Sequence, residues 1–282
     1  MTFSIVATDG TAAGVAVASK FLAVGSVVPY ARLGSVDGVT HVVGAAATQA
    51  MAKWSYKIDA LDHLRGGHDA AYAIAQVTAA DDDREHRQLG VVGADSQATY
   101  TGSACMDWAG GRSGADDSGR YAIQGNILTG EQVVADMEHA WLDSAGDPFE
   151  RRLVAALLAG DAAGGDSRGR QSAALLVVSP GAGYDASGVL VDLRVDDDPD
   201  APHELARLLD LNDLYFGGPQ GVQPLAGELG VEVTERLATL GYSGGDVAQA
   251  LESWAGVENY EMRLSPDGID VRVLAALRQA TD

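Results

Sequence analysis

The chemistry this sequence offers most directly sits at its amino end. Thr2 follows the initiator methionine in MTFSIVATDG. Its small side chain permits methionine aminopeptidase to remove Met1, which would leave one residue holding both a hydroxyl and a free α-amine. An α-amine titrates at about pH 7.7–8.0, so its neutral form can take the hydroxyl proton near physiological pH. That is the threonine form of the self-activated nucleophile. Lys20 is one of three lysines, with Lys53 and Lys57. If DGTAA (9–13) is the loop of a hairpin, Thr8 opposes Gly14 and Thr2 opposes Lys20, with Cβ atoms about 4.5–5.5 Å apart. A loop one residue shorter puts Ser19 there instead. A cation beside the amine favours the neutral amine and stabilises developing negative charge.

Other residue types extend this constellation. Asn126 ends the strand-like run YAIQGN, where its amide could donate to an oxyanion. Thr48 and Gln49, in AATQA, end another strand, either as pocket donors or as a buried polar cap. In GGDSRGRQS, Arg168 and Arg170 flank a glycine, and alternation points both to one face. Two cations on one face of so acidic a chain suit capture of a carboxylate; pairing with surface acids is the competing reading. Asp107 and Trp108 are candidate pocket walls. Cys105, the single cysteine, reads as half-buried filler and rules out an internal disulfide. His63 and His68 straddle Gly66-Gly67 and so do not share a helix face. The acid runs AADDDRE and RVDDDPD lack the spacing of a calcium loop. No metal and no cofactor are expected.

Two β-type runs, TFSIVAT and GVAVASK, must position these residues, followed by VTHVVGAAAT. The period then changes: SYKIDALDHLR and HDAAYAIAQVTAA repeat apolar residues every three or four positions, giving two helices. Strands resume at RQLGVVG, QATYTG and YAIQGN. A second helix pair follows, TGEQVVADMEHAWLDSAG with a capping box from Thr129 to Gln132, and PFERRLVAALLAG with proline in its first turn. QSAALLVVS and GVLVDLRV are strands, and PHELARLLDLNDLYF is a helix. Helix pairs alternating with groups of antiparallel strands indicate an α+β body of two stacked sheets with a helix layer on each side. Residues 1–216 form this domain, GGPQG at 217–221 is the linker, and 222–282 form a small helical domain.

The chain has 282 residues, a hydrophobic fraction of 46% and a net charge of −21. Such a charge argues against nucleic acid or anionic membranes as partners. It is the composition of proteins soluble in high salt, and also of high-GC genomes. No run of about 20 apolar residues is present, and the first residues lack the basic segment of a signal peptide. The expected location is cytoplasmic.

The stretches TFSIVA, GVAVASKFLAVGSVVPYAR, ATQAMA, YTGSACMDWAG, AIQGNIL, GDSRGRQSAALLVV and DLRVDDDPD…LYFG, in order from Thr2 to about Gly217, resemble the family called domain of unknown function 1028. That family is similar to N-terminal nucleophile (Ntn) hydrolases. The resemblance implies a four-layer αββα sandwich with its site at the end of the sheet where the first strand begins. In proteasome-type relatives an N-terminal Thr pairs with a Lys or Arg from nearby strands, roles that Thr2 and Lys20 would fill. The tail is similar to small helical peptidoglycan-binding-like modules, departing from their pattern at SWAGVENYE. The resulting expectation is an amidohydrolase acting on a small, anionic amide or short peptide, with Thr2, Lys20 and Asn126 catalytic and Ser19, Thr48, Gln49, Arg168 and Arg170 binding substrate. A homo-oligomer, dimer or larger, is expected. The alternatives are a non-catalytic Ntn-like binding protein and a threonine peptidase that encloses its chamber in a ring.

Overall fold

A computed structural model of the chain describes residues 2–282. Its first hairpin is set by Asp9. One carboxylate oxygen, Oδ1, accepts the backbone N–H groups of Thr11 and Ala12, both at 2.8 Å, and Gly10 adopts φ +88. These contacts close the turn over residues 9–12, one residue shorter than the expected loop. Strands β1 (Thr2–Thr8) and β2 (Ala13–Ser19) therefore pair with Phe3 opposite Ala18 and Thr8 opposite Ala13. This register corrects the expected one: Ser19, not Lys20, stands across from Thr2.

The alternation of β1 and β2 serves two packed faces, so both strands are buried throughout. The second sheet is a meander of β3 (Pro29–Val36), β4 (Val39–Ala50), β5 (Arg87–Gly93) and β6 (Gln97–Thr101). Returning to the first sheet, β7 (Gly110–Asp116) pairs with β8 (Gly119–Asn126), which lies against β1. β9 (Ser172–Val178) lies against β2, and β10 (Val189–Val195) forms the edge. Both sheets are antiparallel, one of six strands in the order β10-β9-β2-β1-β8-β7 and one of four. They pack face to face through Val6, Val15, Val17, Val42, Ala45 and Ala47. Alanine at 45 and 47 keeps the inner face of β4 shallow, so β1 can lie directly over it.

Helices α1 (Trp54–Arg65) and α2 (Ala70–Ala79) cover the outer face of the four-stranded sheet through Tyr56, Leu61, Ile74 and Leu89. Helices α3 (Gln132–Asp143) and α4 (Phe149–Ala162) cover the six-stranded sheet. The body thus mixes helices with two antiparallel sheets, as expected from the sequence. The capping box did not form: the N-cap of α3 is Glu131, and the Thr129 hydroxyl donates to the Ala163 carbonyl at 3.3 Å instead. β7 escaped sequence reading because GGRSGAD carries almost no β-formers; its pairing with β8 makes it a strand.

The chain divides into two compact units between Arg207 and Leu208, within helix α5 (Ala201–Phe216). In the second unit α6 (Gly227–Thr239), α7 (Val247–Val257) and α8 (Val271–Thr281) enclose Val233, Leu237, Leu251, Trp254, Val273 and Leu277. Its unusual feature is Arg263, a fully buried guanidinium. It donates to the carbonyls of Leu214 (2.7 Å) and Gly218 (3.1 Å) and to the Asp270 carboxylate (3.0 Å). Among the described residues, no helix is long and apolar enough to cross a membrane.

Candidate active site

Antiparallel wiring sends every odd-numbered strand of the first unit away from the same end and returns every even-numbered strand to it. The start of β1 therefore meets the ends of β2, β4 and β8. Here Thr2 is 6% exposed, and its Oγ1 lies 3.1 Å from the Ser19 Oγ. Asn126 is its cross-strand neighbour on the other side. Thr2, Ser19 and Asn126, expected to act together, are brought together.

Beneath them runs a buried polar network joining the two sheets. The Gln49 amide nitrogen donates to the Thr2 carbonyl (3.3 Å), the Gln88 Oε1 (2.7 Å) and the Gln124 carbonyl (3.2 Å), while its Oε1 accepts the Ser4 hydroxyl at 2.7 Å. Gln88 Nε2 donates to the carbonyls of Gly125 (2.7 Å) and Gly110 (3.2 Å), which fixes its amide and turns Oε1 toward Asn126. Asn126 donates to that oxygen at 3.0 Å, so the orientation of its amide is set from the opposite sheet. Gly90 makes room for the network: a Cβ there would lie 2.1 Å from the Gln124 Oε1. Ser4, Gln88 and Gln124 were missed in the sequence reading. Their signal was an inward-facing polar residue in otherwise apolar strands, SIVAT, RQLGVVG and AIQGN.

The structure disposes of several expected ligand residues. Lys20 is exposed just beyond β2; its Nζ donates to the Arg170 carbonyl at 3.1 Å and its backbone N–H to Asp166 at 2.8 Å. It is not the cross-strand partner of Thr2. Thr48 is fully buried, with its hydroxyl on the Lys53 carbonyl at 3.3 Å, and Gln49 is 1% exposed inside the network. Both are structural caps rather than pocket donors. Arg170 grips Asp161 through two parallel bonds of 2.7 and 2.8 Å and reaches Asp200 at 3.3 Å. The bond to Asp161 raises its pKa and holds the guanidinium charged. Arg168 pairs with Asp166 at 3.3 Å. The two arginines do not form an open anion clamp, because carboxylates of the same segment already occupy them. Burial pushes the Cys105 thiol up in pKa, and its sulfur rests on the Arg87 carbonyl at 3.4 Å. Trp108 lies over Gly110 at the start of β7.

Beside Ser19 opens a cleft of about 360 Å³, lined by Phe3, Ser19, Asp161, Asp166, Arg170 and Pro199 among others. Two further arrangements were unexpected. Gly67, at φ +86, folds the α1–α2 turn so that the His63 and His68 rings come within 6.0 Å, with His68 stacked on Tyr72 at 4.1 Å. The residues do share a cluster, although they share no helix face. Lys57 is buried in α1 with its Nζ 3.8 Å from the Trp54 ring centroid, donating to the carbonyls of Val27 and of Pro29 (3.1 Å). Burial, then the nearby Arg194, lowers its pKa to about 8. In SYKIDALDHLR it falls on the apolar stripe with Leu61 and Leu64, the one sequence sign of its burial.

Residues 2–205 match the model of a family of unknown function, DUF1028. Residues 215–277 match the PG_binding_2 model for a peptidoglycan binding domain. The crystal structure of protein SPO2555 from Silicibacter pomeroyi, titled as a DUF1028 protein, is similar at 30% identity with a TM-score of 0.62. The match covers 82% of this chain and 92% of that one. No curated protein matches.

Proposed function

The chain belongs to the DUF1028 family, whose description assigns no reaction, and on that premise we propose that its first unit is an Ntn-type amidohydrolase with Thr2 as nucleophile. One observation carries the reading. The first residue of a central strand has its hydroxyl within hydrogen-bond reach of Ser19 and its cross-strand neighbour is a fixed amide, Asn126. The helix–sheet–sheet–helix layering, with the candidate nucleophile opening the first strand, is the arrangement Ntn hydrolases use and supports the same conclusion. Met1 lies outside the described residues; the mechanism requires its removal.

The chemistry follows from the residue types. The Thr2 α-amine takes the hydroxyl proton as Oγ1 attacks the carbonyl carbon of an amide, and Ser19 holds the hydroxyl in place. The Asn126 amide and backbone N–H groups stabilise the oxyanion. Collapse of the tetrahedral intermediate breaks the C–N bond, and the leaving nitrogen receives the proton from the α-ammonium. Water, deprotonated by the same amine, then attacks the ester carbonyl, releasing the acid and returning the proton to Oγ1. The active form is proposed to be a cytoplasmic homo-oligomer, and the helical unit to serve docking.

A mechanism-based electrophile, such as a β-lactone, tests the assignment. It should add once to the wild-type protein, at Thr2, and not to Thr2→Ala. Equal modification of both proteins would reject Thr2 as the nucleophile.

A further inference from the structure

Resting on that reading of Thr2, we propose that the cleft beside it receives a positively charged nitrogen group of the substrate, an ammonium or a guanidinium, rather than a carboxylate. Ser19 belongs to both places: its hydroxyl meets Thr2 at 3.1 Å and, at the end of β2, the residue borders the cleft. A substrate whose scissile carbonyl sits at Thr2 thus extends naturally into this space.

The charges that wall the cleft decide what enters. Arg170 spends Nε and one terminal nitrogen on buried Asp161 and the other on Asp200. The Arg168 guanidinium is turned onto buried Asp166. A carboxylate entering from solvent would have to break a bidentate pair and leave a buried aspartate without its cation, which is costly. An incoming N–H donor needs no such rearrangement. It meets the Ser19 oxygen and the second lone pairs of the Asp161 carboxylate, which accepts two of about four possible hydrogen bonds from Arg170. Asp166, already accepting four, contributes its charge.

The wider field points the same way. Pro199 lines the cleft, and it sits within the run Asp196, Asp197, Asp198, Pro199, Asp200. With Asp161 and Asp166 these aspartates outnumber the cations of the same segments, Lys20, Arg168 and Arg170. Asp196, Asp197 and Asp200 are exposed, so their potential reaches the entrance. A concave surface of one dominant sign concentrates ions of the other. Phe3, Ala18, Pro199 and Pro202 add apolar lining that suits the short alkyl stem of an amine.

Binding can be read without catalysis, which separates this inference from the reading on which it rests. Full-length ¹⁵N-labelled protein is titrated with agmatine and with succinate, following the backbone amides of Ser19, Gly164 and Gly169, which line the cleft. Agmatine should shift all three and bind at least about tenfold more tightly than succinate at low salt, with the preference shrinking as salt is added. The exposed double variant Asp196→Asn/Asp197→Asn should weaken agmatine binding by about threefold, consistent with surface charges acting through solvent. Stronger shifts with succinate, or none with agmatine, would overturn the proposal. Agmatine binding with no electrophile addition at Thr2 would instead uphold the cleft assignment and reject the nucleophile.

Discussion

Replacing Gln49 with leucine tests whether the inter-sheet network is worth more than the space it fills. The change keeps the side chain's approximate volume and adds apolar surface, so packing alone predicts little loss. The hydrogen-bond ledger predicts otherwise. The Ser4 hydroxyl loses the acceptor at 2.7 Å, Gln88 Oε1 loses its shorter donor, and the carbonyls of Thr2 and Gln124 each lose a contact. Each orphaned buried group costs about 1–3 kcal/mol, while Gln88 Oε1 keeps Asn126. Allowing two effective orphans and about 1 kcal/mol returned by the leucine, the net loss is about 1–5 kcal/mol. Gln49→Glu sharpens the test: it preserves shape but, when ionised, has no N–H to offer three facing acceptors, so it should cost more than leucine at neutral pH and recover partly as the carboxyl protonates in acid. Urea unfolding at several pH values reads both variants. A loss under about 1 kcal/mol in each would show that packing, not hydrogen bonding, holds the sheets at this end.

Further outcomes follow from single contacts. Ser19→Ala should slow electrophile addition at Thr2 by about tenfold, the scale of one hydrogen bond; Lys20→Ala should change it by less than about twofold, since this exposed cation faces the Arg170 carbonyl. Equal effects would restore the longer hairpin loop. Arg263→Met strands the buried Asp270 carboxylate and should cost the helical unit about 3 kcal/mol or more in thermal unfolding. Lys57 binds its proton more weakly folded than unfolded, because burial lowers its pKa from 10.5 to about 8. Between those values the unfolded chain holds more protons, so stability should rise with pH across that window, and Lys57→Met should flatten the rise. Asp81 gives the same sign in the acid range: Arg87, first, and Tyr56 hold its carboxyl well below the usual carboxylate range. Its contribution is complete above about pH 4 and lost as pH falls, so Asp81→Asn should flatten the acid limb of the stability curve.

Patterning revealed the layers because burial writes itself into period. A period of two marked β1 and β2, and a period of three to four marked α1 to α4, so the layered body was legible. Register was not, since one residue of turn decides it and Asp9 Oδ1 fixes that turn by bonds to Thr11 and Ala12, which no hydrophobic count records. Thr2, Ser19 and Asn126 could be brought together from strand ends alone. The fate of Arg168 and Arg170 could not, because Asp161 and Asp166 capture them through the fold of the α4–β9 connection. The glutamine network was visible only as misplaced polarity, and β7 only through its neighbour.

The decisive measurement is the intact mass and amino-terminal sequence of protein purified from cells, before and after one equivalent of β-lactone. The proposed mechanism predicts a chain beginning at Thr2, 131 Da lighter than the full translation product (the approximate mass of a methionine residue), that gains a single adduct on that threonine. A chain that keeps its methionine, or an adduct that forms equally on Thr2→Ala, would contradict it.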